Sequence, residues 1–163
     1  DVIPDVYFFD HNEAGPRMIA KELRNRGSLI YYECENNREW NKFIKSVEVA
    51  DIVKFSDDNV SDLSFCADYK NKLFIQTQGS KGLRFSLCGG GWIHVSPIEV
   101  NNVVDWEGCG DTVSAVFINE LGKMGLPNMS ELTEEQIKAA LKIAVERAAL
   151  CPQYYGSKGW IKE

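Results

Sequence analysis

The sequence lacks the features that mark several classes of protein. No stretch concentrates Lys and Arg, and the chain carries 18 basic against 24 acidic residues, a net charge of −6. Binding to a phosphate backbone needs a basic face, so nucleic acid is not expected as a partner. No apolar run approaches the roughly 20 residues that a membrane-spanning helix needs, and no signal peptide is visible, so no membrane partner is expected either.

The cysteines form no C-x-x-C pair. They are dispersed along the chain at Cys34, Cys66, Cys88, Cys109 and Cys151. An odd, scattered set of this kind is typical of reduced thiols, which favours a cytoplasmic protein. Because the first residue is Asp1 rather than Met, we expect the chain to be part of a longer protein.

Apolar runs alternate with stretches of helical spacing over the first half of the chain. Strands are predicted at residues 6–9, 28–33, 51–55 and 72–77, and helical segments at 14–26, around 40–47 and at 60–69. Strands that alternate with helices indicate a parallel sheet covered on both faces.

The pattern changes in the second half. Residues 83–87 and 92–95 flank three glycines with too few residues between them for a crossover helix, which predicts a β-hairpin. A further strand is predicted at 100–104, followed by an amphipathic helix with Val113, Val116, Phe117 and Leu121 on one face. The last helix begins with a capping box of Thr133 and Gln136. The whole chain, 1–163, is predicted to be one α/β domain.

The most informative segment runs from the predicted strand into the helix through Gly108 and Gly110. Such a turn collects unpaired N–H groups at the positive end of a helix dipole, where an anion such as phosphate is stabilised. Asp111 lies in the same turn and has two interpretations. It is either a favourable residue of the first helical turn or a general base beside an anion site. The thiol of Cys109, at the same helix N-terminus, is expected to have a lowered pKa.

Two common nucleotide motifs are excluded. Val113 stands where the dinucleotide fingerprint needs its third glycine. The Gly122-Lys123 pair is followed by Met124 rather than Ser or Thr, so no P-loop is present. Neither a Rossmann dehydrogenase nor a P-loop enzyme is supported.

The segment Asp105-Trp-Glu-Gly-Cys-Gly-Asp111 resembles the D-T-x-G-A-G-D signature of the ribokinase-like (PfkB-type) carbohydrate kinases, with departures at Trp106, Glu107 and Cys109. Three other segments agree in order and spacing. Residues 48–54 are similar to the family's strand before its N-x-x-E motif, residues 76–82 to its T-x-G-x-x-G nucleotide turn, and residues 151–159 to its closing Gly-rich segment.

The resemblance implies a three-layer α/β sandwich with a mostly parallel central sheet and a β-hairpin. It covers only about the C-terminal half of such a kinase, so the N-terminal half and its lid are absent. It implies Asp111 as the general base and Gly108, Cys109 and Gly110 as an anion hole. Thr77, Gly79 and Gly82 would line the nucleotide site, and the alternative for these three is an ordinary strand-to-hairpin turn.

The implied function is ATP-dependent phosphorylation of a hydroxyl on a sugar or related small alcohol. ATP with Mg²⁺ is the implied cofactor, a monovalent cation is allowed, and a homodimer is allowed for the full-length protein. The family's N-x-x-E maps onto Ser56-Asp57-Asp58-Asn59, so both named positions differ and no metal ligand is assigned. The alternative function is a weak or inactive kinase-like protein that binds nucleotide or sugar and has a regulatory role. The isolated chain is expected to be inactive.

Overall fold

The structure, a computed structural model, describes residues 2–35 and 38–161. The strands in this part of the chain are β1 (Val6–Phe9), β2 (Leu29–Glu33), β3 (Ile52–Ser56), β4 (Leu73–Thr77), β5 (Leu83–Leu87) and β6 (Ile93–Val95). The α-helices are α1 (Ala14–Asn25), α2 (Trp40–Val49), α3 (Cys109–Lys123) and α4 (Glu134–Ala148).

The strands form one sheet in the order β1-β2-β3-β4-β5-β6. β1 to β4 pair in parallel, as the alternation of strands and helices predicts. β5 and β6 are neighbours joined by a short connection, as the predicted hairpin requires. The α/β class with a mostly parallel sheet is therefore confirmed.

The chain divides into two compact units. The first contains the residues up to Gln78 together with Arg84–Ile93 and Asn128–Glu131. β2, β3 and β4 are buried along almost their whole length, which explains why their sequences are continuous apolar runs rather than alternating ones. Phe43 of α2 packs against Tyr32, Phe55 and Phe65 in the core of this unit.

The helix predicted at 60–69 is wrong in extent, because only a 3₁₀ turn, Ser64–Asp68, forms there. The carbonyl of Val60 accepts a hydrogen bond from the Gln76 side chain at 2.7 Å and so has a partner outside any helix. The Asp62 carboxylate accepts from the Ser64 N–H at 2.9 Å. These two backbone groups are bonded to side chains, so they are not available for the hydrogen bonds of a helix that begins at residue 60.

The second unit contains Gly79–Leu83, His94–Pro127 and the chain from Leu132 onward. α3 and α4 pack together here, and α3 buries Val113, Phe117 and Leu121 as predicted. The capping box of α4 is confirmed, with Gln136 N–H 3.2 Å from Thr133 Oγ1. No helix in the described part of the chain combines the length and the apolar character that crossing a bilayer demands.

The strand predicted at 100–104 is not present. Asn102 has a left-handed φ of 61°, which interrupts an extended run. The N–H groups of Val104 and Asp105 both donate to the Pro152 carbonyl, at 2.6 and 3.2 Å, instead of entering a strand ladder. A contact with a residue far along the chain therefore overrides the local β-propensity of the valines.

Candidate functional site

The α3 helix starts at a turn made of residues 108–111, here called the glycine turn. Gly108 is the residue before the helix and has a left-handed φ of 79°. A Cβ atom at this position would lie 2.5 Å from the Cβ of Ser157, so the backbone of the chain's last segment leaves room only for glycine. The structure therefore holds Gly108, Cys109, Gly110 and Asp111 together in one turn.

Asp111 is exposed in the first turn of α3. The helix dipole adds partial positive charge at this end of α3. The Thr112 N–H closes the first regular helical bond, to Gly108 O at 2.9 Å. The Cys109 N–H makes a long contact with Trp106 O at 3.4 Å. This arrangement is suited to an anion with an acidic group beside it.

Asp105 is the residue whose role sequence reasoning missed. Its Oδ2 accepts from the Gly156 N–H at 2.9 Å and its Oδ1 from the Glu107 N–H at 3.1 Å. These two backbone donors, Gly156 first, hold the pKa of the Asp105 carboxyl below its usual range. An Asp two residues before the N–H that it binds is a recognisable turn pattern, but its bond to Gly156 has no local signal.

The expectation of a lowered pKa for the Cys109 thiol is wrong. Burial raises the pKa of Cys109 to about 11, and the neighbouring Cys151 acts in the same direction. Cys109 is partly buried, and desolvation of its thiolate outweighs the helix dipole. Cys151 is itself fully buried, with its Sγ 3.2 Å from Thr112 Oγ1.

The three residues assigned to the nucleotide site do not all fall in one unit. Thr77 ends β4 in the first unit, and its carbonyl accepts from the Asp57 N–H at 2.9 Å. Gly79 begins a 3₁₀ turn, Gly79–Lys81, in the second unit. A Cβ at Gly82 would collide with the carbonyl oxygen of Val95, so this glycine is required by the chain packed beside it. This packing gives Gly82 a structural reason to be glycine, and its place in the nucleotide site stays a prediction.

The turn at residues 56–59, where the family carries its metal-associated motif, is occupied by internal bonds. The side-chain amide of Asn59 donates to the Glu35 carbonyl at 2.8 Å and to the Cys34 carbonyl at 3.3 Å. The Asn59 N–H donates to Ser56 Oγ at 3.2 Å. Among residues 2–35 and 38–161 no group of three or more His, Cys, Asp or Glu side chains is arranged to hold a metal ion.

A buried ion pair in the first unit was also not foreseen. Lys54 of β3 is 2% exposed and its ammonium group pairs with the Glu33 carboxylate of β2, which is its partner in the strand register. A lysine inside an apolar strand carries no sequence signal for its partner. Because both groups are charged and largely withdrawn from water, each depends on the other.

Comparison with known proteins gives a family and a fold. Residues 16–161 match the family described as pfkB family carbohydrate kinase. No curated protein matches the chain.

Solved structures of kinases share the fold. A ribokinase from Giardia lamblia superposes with a TM-score of 0.79 at 14% identity, over 98% of this chain and 56% of that one. A nucleoside kinase from Burkholderia thailandensis in complex with inosine has a TM-score of 0.74 at 15% identity, over 96% and 52%. An uncharacterized sugar kinase from Pyrococcus horikoshii in complex with ATP has a TM-score of 0.70 at 22% identity, over 94% and 53%. The chain thus spans about half the length of the structures that it matches.

Proposed function

Because the chain belongs to the pfkB family of carbohydrate kinases, we propose that it is the nucleotide-binding and catalytic portion of a longer ATP-dependent kinase. The acceptor is a hydroxyl group of a sugar or a related small alcohol. The observation that carries this proposal is the exposed carboxylate of Asp111 in the first turn of α3, directly after the left-handed Gly108. One solved relative, a sugar kinase, is bound to ATP, which supports ATP as the phosphate donor. Another, a nucleoside kinase, is bound to inosine, which supports a small molecule with sugar hydroxyls as the acceptor.

Asp111 acts as the general base in this proposal. It takes the proton from the acceptor hydroxyl as the hydroxyl oxygen forms a bond to the γ-phosphorus of ATP. The bond between that phosphorus and the bridging oxygen breaks, and ADP leaves with the electron pair. A carboxylate placed where phosphate binds repels it, so its position is costly for a protein that only binds nucleotide.

The backbone N–H groups of Gly108, Cys109 and Gly110 stabilise the charge that develops on the transferring group. Fixed donors of this kind need no reorganisation during the reaction. The 3.4 Å contact from Cys109 N–H to Trp106 O is long for a hydrogen bond, so exchanging it for a phosphoryl oxygen costs little.

The cofactor in the proposal is ATP with Mg²⁺. A bound Mg²⁺ would neutralise phosphate charge, and the nucleotide's own oxygens and water would provide most of its ligands. Asp57 and Asp58 are the acidic residues of the 56–59 turn and are the nearest match to the family's metal-associated position. The cytoplasm as location, a homodimer and a monovalent cation remain predictions.

Assays of the 163-residue chain test whether it binds nucleotide without catalysing transfer to an acceptor. We expect calorimetry to detect weak binding of ATP and ADP, because the glycine turn and the helix behind it are present. We expect a coupled assay of ADP release to give no sugar-dependent turnover over a panel of sugars and nucleosides, because in-line positioning and exclusion of water need the missing half. Robust turnover by this chain alone would show that the acceptor site lies within it.

A further inference from the structure

The closing segment, residues 151–159, is attached to the approach of α3 at several points within the second unit. The Pro152 carbonyl accepts from the Val104 and Asp105 N–H groups at 2.6 and 3.2 Å. Cys151 Sγ lies 3.2 Å from Thr112 Oγ1 in the interior. These contacts fix the start of the closing segment.

Asp105 attaches the other end of the segment. Its carboxylate uses one oxygen for the Gly156 N–H and the other for the Glu107 N–H, so it joins two stretches of chain 51 residues apart. Hydrogen bonds to an ionised carboxylate are stronger than those between neutral groups. The bond to Gly156 therefore holds the segment more firmly than a neutral side chain would.

The attached segment lies directly on the glycine turn. Ser157 follows Gly156, and its Cα and Cβ occupy the place where a side chain at Gly108 would be. The left-handed backbone at Gly108, which directs the N–H groups of the turn, is thus formed against Ser157. If the bond between Asp105 and Gly156 were lost, Ser157 would be held less firmly against Gly108.

We propose that Asp105 is a positioning residue for phosphate binding: its carboxylate holds the closing segment against Gly108 and so keeps the glycine turn in its binding shape. This inference rests on the proposed function. The positioning effect of this carboxylate on anion affinity is opposite in sign to the effect of its charge. A negative charge near a phosphate site lowers anion affinity by repulsion, whereas positioning by the same carboxylate raises it.

The sign of the change in ATP affinity separates the two effects. Asp105→Asn removes the charge but leaves only one acceptor oxygen, so the amide NH₂ group faces one of the two N–H donors. Glu107→Gln is the matched control, because it removes a charge two residues away on an exposed side chain. We expect ATP affinity to fall about tenfold in Asp105→Asn and to stay equal or rise in Glu107→Gln, both measured by calorimetry on the 163-residue chain. The affinity for AMP, which lacks the terminal phosphates, should fall less in Asp105→Asn than the affinity for ATP.

Hydrogen exchange provides the readout that does not depend on nucleotide. The Gly156 amide should lose about tenfold in protection in Asp105→Asn and none in Glu107→Gln. Unchanged protection at Gly156, or an ATP affinity that rises as in the control, would overturn the proposal. A variant that is unfolded at 25 °C would make Asp105 a stability residue and would overturn it as well.

The outcomes also separate this inference from the proposed function. If the wild-type chain binds no ATP, the proposed function is wrong and the role of Asp105 in binding falls with it. If the wild-type chain binds ATP and Asp105→Asn binds it equally well, only the role of Asp105 is wrong.

Discussion

Two turns of this chain both carry aspartate, but their polar groups have different partners. The 56–59 turn of the first unit follows β3, and the glycine turn of the second unit precedes α3. The side-chain amide of Asn59 donates to the carbonyls of Cys34 and Glu35, so this turn holds the ends of β2 and β3 together. Asp111 of the glycine turn is exposed at the positive end of a helix. An acidic or amide residue in a turn therefore does not indicate a functional site until its partners are known.

The same contrast extends to the buried lysines of the first unit. The Lys54 ammonium group is paired with Glu33, and the Lys72 ammonium group donates to the carbonyls of Glu48 and Ala50. Both ammonium groups therefore contribute to the stability of the folded first unit. We expect loss of the buried lysine contacts in the first unit to alter stability and loss of the Asp111 carboxylate to alter phosphate chemistry.

The largest expected effect is on turnover. In a protein that carries both halves of the kinase, Asp111→Asn should lower kcat by roughly 10²- to 10⁴-fold, or about 3–5 kcal/mol of barrier, because the acceptor proton loses its base. Nucleotide affinity should stay similar or improve, because a charge near the phosphates is removed. Glu135→Gln, at an exposed acid in the first turn of α4, is the control and should turn over normally. Equal loss in both variants would contradict a specific role for Asp111.

Gly108→Ala should reduce stability by roughly 2–4 kcal/mol, because its Cβ meets Ser157 and its φ is left-handed. Gly125 has a similar φ of 83° but nothing within 4 Å of a Cβ, so Gly125→Ala should cost only about 1 kcal/mol. Urea unfolding of the two variants measures the difference. Equal costs would mean that the closing segment moves aside freely and does not shape the glycine turn.

Lys72 should give the first unit a pH-dependent stability. Burial lowers the pKa of Lys72 to about 8, so between pH 8 and 10.5 the unfolded chain binds more protons than the folded one. The free energy of unfolding contributed by Lys72 therefore rises with pH in this window, by about 3 kcal/mol. Unfolding of wild type and Lys72→Met should diverge in favour of wild type as the pH rises from 8. The buried thiols affect both proteins alike, and a constant difference would contradict the prediction.

The smallest effect is expected at Cys109. Cys109→Ala should leave nucleotide affinity and turnover unchanged, because the proposal uses only the backbone N–H of this residue. Since burial raises the pKa of the thiol to about 11, iodoacetamide should modify it slowly at neutral pH. Rapid alkylation would contradict the raised pKa, and a loss of activity in the alanine variant would show a role for the sulfur atom itself.

Sequence reasoning succeeded where local pattern and burial agree. The continuous apolar runs of β2 to β4 and the capping box of α4 are local signals, and all are confirmed. It failed where a distant partner decides the backbone. Residues 100–104 bind Pro152 rather than a strand, and the Asp105 carboxylate finds Gly156 51 residues later. Cys109 shows the same limit for chemistry, because its pKa depends on burial that the helix position does not reveal.

The central claim is that phosphate binds at the glycine turn, and a titration of the ¹⁵N-labelled chain with ATP, followed by amide resonances, tests it most directly. We expect the Gly108, Cys109 and Gly110 resonances to shift with ATP, less with ADP and little with AMP, and Asn59 to shift little with any of them. Saturable shifts confined to the 56–59 turn, or ATP binding that leaves the three resonances of the glycine turn unmoved, would contradict the account.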